Sequence, residues 1–406
     1  MMQRFNNLTK KQKKNVIAGT VLAVMVAVLG GLAWYNHRAV ASVDYSMELP
    51  DQTALESHML IGGDVYWGRR LHDWSQASNL KEAYPFSRLH EFERDKYDAW
   101  IANLECPSVP GVKQDIGYVP ELWGFNCDSD YLPEFAKWYD IVSLANNHTS
   151  NQGRESGQDA TRKALDQHNI QHFGGFNPHV EQDVCNVVAL PARAMIAGEQ
   201  KEVKLPVAMC GYHGVYYTIT DTAINRMKEY AKYMPVIAYP HMGREYQATA
   251  DDERRTLYRK MIDAGADAVI GNHPHWVQVT EEYKGKLIAY SMGNLIFDQQ
   301  FSPEVMRSAQ IDAIMSVAAN STNDEQLRAW TELGATCAPT TDTCLAAAKE
   351  KNLPRLPITL RYSVVGVDLS GQITHRANQR MLDEILVRMN WADTESKLTR
   401  EPLTSN

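Results

Sequence analysis

Acidic residues are missing from the start of this chain. None precedes Asp44, while Arg4, Lys10, Lys11, Lys13 and Lys14 crowd the same stretch, and the formal net charge of the whole is nevertheless −8. That balance excludes nucleic acid as the main partner, which would call for a basic face. No cysteine precedes Cys106, and no two cysteines form a CxxC pair, so a zinc ribbon is excluded. Long-period repeats and low-complexity tracts are also missing, so the chain is not a repeat array. What is there is ordinary globular composition, with 44% hydrophobic and 22% charged residues, enough for a sizeable core.

Charge is absent altogether from Val16 to Tyr35, a run of 20 residues. At ~1.5 Å per residue a helix of this length spans roughly 30 Å, the hydrocarbon thickness of a bilayer. Trp34 and Tyr35 close it as interfacial aromatics do, and the basic flank on its N-terminal side places the N-terminus in the cytoplasm. The expected organisation is a cytoplasmic basic tail (1–15), a transmembrane anchor (16–35), a linker (36–56), an extracytoplasmic domain (57–390) with an insertion at 321–352, and a C-terminal tail (391–406). A cleaved signal peptide ending at Ala39-Val40-Ala41 is the competing reading, and it exports the same body. Six cysteines in an exported chain imply disulfides. Neighbour pairing gives Cys106–Cys127, Cys185–Cys210 and Cys337–Cys344, one of fifteen possible connectivities.

The body alternates strands and helices, which predicts an α/β core. Strands are expected at His58–Asp64, Asp98–Glu105, Asp140–Ala145, Val207–Cys210, Pro235–Tyr239 and Ala268–Ile270, with a hairpin turning at Lys284-Gly285. Helices are expected over 130–139, 153–168, 221–233, 251–264 and 377–391, and residues 321–352 read as an irregular surface excursion. In such folds reactive groups gather at the carboxyl ends of strands. Asp64, Glu105, Asn147, His148, His241, His273 and His275 all fall there. His273 and His275 are two apart after an apolar run, and strand alternation would point both imidazoles to one side. Carboxylate, amide and imidazole ligands suit Zn²⁺, Mn²⁺ or Fe²⁺, and a shared carboxylate would let them hold two ions. His213, Tyr216 and Tyr217 form a loop wall or a substrate contact; His168, His172 and His179 lack partners and read as surface residues.

Six stretches then carry a resemblance: Gly63-Asp64-Val65, Asn103-Leu104-Glu105, Ala145-Asn146-Asn147-His148, His241-Met242-Gly243-Arg244-Glu245-Tyr246, Gly271-Asn272-His273-Pro274-His275 and Tyr290-Ser291-Met292-Gly293-Asn294. In order and spacing they resemble the capsule-synthesis CapA family, also called the poly-γ-glutamate synthesis protein family. The resemblance implies a four-layer α/β/β/α sandwich of the calcineurin-like metallophosphoesterase type, here preceded by one transmembrane helix. It implies that Asp64 is the first metal aspartate and that Glu105 stands where a bridging aspartate is usual. Asn147, His241 and His273 would hold one ion, His275 would serve the other, and His148 would be the catalytic histidine that binds no metal. Glu245 and Asn294 would support the ligands or face substrate. Tyr66 departs from the superfamily, whose first motif has histidine there, so one or two ions are expected.

The function implied is a part in synthesis or export of poly-γ-glutamate or a related capsule polymer. Its partners would be the anionic polymer or its precursors, the membrane, and other membrane proteins of polymer synthesis. A metallohydrolase acting outside the cell on phosphoesters or γ-amide bonds, and a binding scaffold with a degenerate site, are the alternatives.

Overall fold

A computed structural model describes residues 48–112, 124–337 and 343–403. The expected anchor at 16–35 and the basic tail before it lie outside these residues. Among the described residues no helix is long and apolar enough to cross a membrane.

Among the described residues the fold is mixed α/β around one large sheet of 14 strands. It turns on β1 (Thr53–Val65), which starts ahead of the expected His58. Glu56 hides this early half in the sequence, because it is polar yet buried with a partner, as is His58, where the expected strand begins. Arg193 lies 3.4 Å from Glu56, and Asp312 lies 2.6 Å from His58. The second half of β1 runs parallel to β2 (Ala99–Leu104), which continues to β3 (Ile141–Ser143) and β4 (Gln171–Phe173), also parallel. Next come β5 (Cys185–Ile196) and β6 (Glu199–His213), an antiparallel pair. The short strand expected at 207–210 is therefore only part of a long one, and β5 lies where no strand is expected. Parallel β7 (Val236–His241) and β8 (Ala268–Ile270) follow. The hairpin of β9 (Thr280–Tyr283) and β10 (Lys286–Ala289) turns as expected at Lys284 and Gly285, both in the left-handed region. Finally, on the flank of β1 away from β2, β11 (Asn294–Ile296) lies parallel to its end and β12 (Arg307–Ala318) antiparallel to the rest, with β13 (Ile358–Asp368) and β14 (His375–Arg376) extending the sheet beyond β12.

Helices form where apolar spacing and caps agree. Helix α1 (Arg69–Ala77) follows β1, and α2 (Glu155–Gln167) follows β3. Helix α3 (Asp252–Asp263) is capped by the Asp251 side chain, which accepts from the Arg254 N–H, and it stops at Gly265 with φ +107°. The helix expected over 130–139 is only a turn at Ser129–Tyr131 joined to Leu132–Phe135, and 221–233 holds two short helices, Asp221–Asn225 and Met227–Ala231. The described residues of the region 321–352 are not irregular. They carry α4 (Asp324–Thr336) and α5 (Thr343–Glu350), and Leu327, Trp330 and Leu333 of α4 are buried in the core. Gly334 makes that docking possible, since a Cβ there would sit 2.0 Å from the Lys204 carbonyl oxygen. Helix α6 (Gln379–Met389) and a short helix at Trp391–Lys397 follow, and packing continues to Leu403, whose N–H reaches the Ile358 carbonyl. All three neighbour disulfides are formed. His172 is buried in β4 beside Asp166, not a surface residue as its lack of sequence partners suggested.

Candidate metal centre

The sheet delivers its functional groups at strand ends. Asp64 stands one residue before the end of β1, Glu105 follows β2, Asn147 and His148 follow β3, and His241 ends β7. Gly63 sets the position of Asp64. A Cβ on Gly63 would lie 1.9 Å from the Gly293 carbonyl oxygen, and that same carbonyl accepts from the Asp64 N–H at 3.1 Å. His273 and His275 join the group by a different route from the one their spacing suggests. Strand β8 ends at Ile270, and both histidines have left-handed backbones, φ +94° and +59°. Strand alternation therefore does not orient them. The left-handed turn does, at a conformational cost of order 1 kcal/mol per residue that such sites commonly carry.

Two buried groups result, Glu105 with His241 and His273, and Asp64 with Glu105 and His275. In each, the candidate ligand atoms lie within 4.8 Å of one another. Glu105 is common to both. Asn147 Oδ1 is 2.8 Å from His241 Nε2, which is 3.5 Å from Glu105 Oε1. His275 Nδ1 lies 3.5 Å from Asp64 Oδ2 and its Nε2 3.9 Å from Glu105 Oε1. Ligand atoms about 2.1 Å from a shared ion would themselves be roughly 3 to 3.5 Å apart.

The remaining polar atoms are tied from behind. Asn103 Nδ2 donates to Asp64 Oδ1 at 2.9 Å and lies 3.1 Å from His241 Nδ1. Asn146 Nδ2 in turn donates to Asn103 Oδ1 and to the Leu104 carbonyl. His275 Nδ1 donates to Asn294 Oδ1 at 2.8 Å, and Asn294 is itself held by Gln299 and the Val305 carbonyl. These outer bonds fix ring orientation, as in known metal sites. Glu245 stands exposed at the rim, and Tyr246 beside it stacks on His275. Tyr66 is buried and stacks on Phe125. Asn103, Asn146, Asn151 and Phe125 join the centre with no local sequence signal of a role. An asparagine after a strand reads as a turn residue, and only the fold reveals which atoms its amide reaches.

Whether these residues fit a cation is decided by Glu105. Both of its carboxylate oxygens are buried with no hydrogen-bond partner, as is Nδ1 of His273. A buried carboxylate left in that condition costs several kcal/mol, and a cation removes the penalty. The groups could therefore hold a metal ion. Without an ion, protons take over part of its role. Burial works against charge on His241 and His275, but Glu105 and Asp64 overcome it and raise both to about 9. Burial would raise Asp64, yet bonds to His241 and His275 hold it well below the usual carboxylate range. Burial and the neighbouring Asp64 charge push Glu105 up. Burial also keeps His273 neutral and lowers His148 to about 3.

A mixed α/β protein with an acidic, histidine-rich centre at the carboxyl edge of its sheet is thus the class. The chain belongs to the family of the bacterial capsule synthesis protein PGA_cap, which it matches over residues 58–299. A capsule biosynthesis protein CapA of Bacillus anthracis is 29% identical over 308 residues, covering 73% of this chain and 71% of that protein. A PGA biosynthesis protein CapA of Bacillus subtilis (strain 168) is 47% identical over 64 residues, 16% of this chain and 17% of that protein. A solved hypothetical protein from Thermus thermophilus aligns with TM-score 0.34 and 14% identity over 78% of this chain and 95% of its own.

Proposed function

We propose that this chain is a membrane-anchored, extracytoplasmic component of capsule-polymer synthesis or export, with a divalent metal at the Glu105 centre. The polymer is poly-γ-glutamate or a related polyanion, and the partners are that polymer or its precursors and other membrane proteins of its synthesis. Family membership supports the pathway. The uncharged run at 16–35 and the three disulfides support export and anchoring. Gathering of the groups at strand ends supports the finer fold, a calcineurin-like four-layer sandwich.

The observation that carries the metal reading is the buried carboxylate of Glu105, which accepts no hydrogen bond and stands between two sets of imidazoles. Asp64, Glu105, Asn147, His241, His273 and His275 are the proposed ligands; Mn, Zn or Fe suits them. When bound, such an ion supplies Lewis acidity and an activated water. Deleting the gene from its host should remove anionic surface polymer, and a Glu105→Gln copy should not restore it. Full restoration by that copy would refute the role of the centre.

A second reading, an extracytoplasmic metallohydrolase of phosphoesters or γ-amide bonds, is favoured by His148. Its Nε2 faces the centre, 4.0 Å from Glu105 Oε1, which leaves the imidazole beside a group bound there rather than bonded to the carboxylate. Protein loaded with Mn²⁺ or Zn²⁺ should then turn over such a bond, and His148→Ala should abolish it. Turnover that survives this change would exclude His148 as the reacting imidazole.

A further inference from the structure

His148 is held by a device that the sequence does not announce. Its ring lies flat against Phe125, centroids 3.6 Å apart and planes 4° apart. Phe125 lies in turn on Tyr66, at 4.4 Å and 19°. The Tyr66 phenol folds back over its own loop at Gly68, where a Cβ would meet Tyr66 Oη at 2.2 Å, so only glycine leaves room for it. Asn151 closes the assembly. Its Oδ1 accepts from the Phe125 N–H at 3.0 Å and from His148 Nδ1 at 2.8 Å. Gln152 Nε2 donates to the carbonyls of Gly124 and Phe125, at 3.3 and 3.2 Å. The Cys106–Cys127 disulfide and the Trp67 N–H on Cys127 Sγ pin the same loop beside Glu105.

An amide oxygen can only accept, so Nδ1 of His148 must carry the proton and Nε2 the lone pair. We propose that Phe125 and Asn151 are positioning residues for His148, with Tyr66 as the platform beneath Phe125. Asn151 fixes the tautomer and Phe125 fixes the plane of the ring, so that the Nε2 lone pair faces the centre. The proposal rests on the reading of His148 as the reacting imidazole. It also gives the tyrosine that stands in place of a ligand a task of its own: it stacks.

The test is nuclear magnetic resonance of the purified full chain labelled with ¹⁵N-histidine. The His148 signals are those lost in His148→Gln. The wild type should give the Nδ1–H pattern. Asn151→Ala should move the ring to the other tautomer or to a mixture, and Asn151→Asp, which keeps an acceptor, should retain Nδ1–H. Phe125→Leu keeps apolar volume but removes the ring face, so the His148 carbon-bound proton should move downfield as ring-current shielding is lost. A folded Asn151→Ala protein that keeps the Nδ1–H pattern, or a Phe125→Leu protein with an unmoved His148 proton, would overturn the proposal. Either variant alone suffices if the other does not fold. Where metal-loaded protein shows turnover, Asn151→Ala should lower kcat at least 10-fold with KM nearly unchanged, and Asn151→Asp should restore most of it. A changed tautomer with no turnover in any form would sink the hydrolase reading and leave the positioning intact.

Discussion

Loading a divalent ion should expel protons, and the number expelled reports how much of the centre fills. His241 and His275 are raised to about 9 by Glu105 and Asp64, against the effect of burial. At pH 7.5 each therefore carries a proton that a metal bond must displace. His273 is already neutral through burial and Asp64 is already ionised, so neither contributes. One proton should leave per filled group, two at full loading, with a further fraction from Glu105. A pKa 1.5 units above the working pH weakens binding about 30-fold per imidazole, or roughly 10³-fold for the pair. Protons and metal compete, so apparent affinity should fall as pH falls, by about 100-fold per unit below pH 9 when both groups fill. Titration calorimetry in buffers of different ionisation enthalpy measures the release directly. A binding enthalpy that does not depend on the buffer, or an affinity flat from pH 6.5 to 9, would refute the reasoning.

Other consequences follow from packing and titration. Gly63→Ala would drive a Cβ to 1.9 Å from the Gly293 carbonyl oxygen, and Asp64 would shift with it; thermal unfolding should report a loss of about 3 kcal/mol or more, together with lost metal. Trp330→Ala should cost about 3 to 5 kcal/mol, a loss that calorimetric unfolding would reveal and that a surface excursion would not show. His172 is lowered to about 4, chiefly by burial, whereas its unfolded value is near 6.5. The unfolded chain binds the proton first, so this contribution is complete above pH 6.5 and is lost as pH falls to about 4. It amounts to at most about 3 kcal/mol, and His172→Gln should flatten the pH dependence of denaturant midpoints over that window.

Much of the centre was legible because strand ends are legible. Apolar runs before Asp64, Glu105 and His241 mark buried strands, and a polar residue ending such a run has few structural reasons to be there. The spacing of His273 and His275 suggests one side of a strand, but left-handed turns, not alternation, bring them beside Glu105. Strand β5 was missed because Arg193 interrupts its apolar pattern, and only the fold brings Glu56 and Asp98 to that charge. Helix α4 was missed because its anchors, Leu327, Trp330 and Leu333, are spread thinly among polar and small residues. The stack of Tyr66, Phe125 and His148 joins positions far apart in the chain, so no local pattern encodes it.

The central claim is that Glu105 sits in a metal centre. Elemental analysis of the full chain, purified without chelators, tests it most directly. One to two equivalents of Mn, Zn or Fe per chain are expected, and they should be lost in a folded Glu105→Ala variant. A folded wild-type chain that carries no divalent metal and takes none up on dialysis would contradict it.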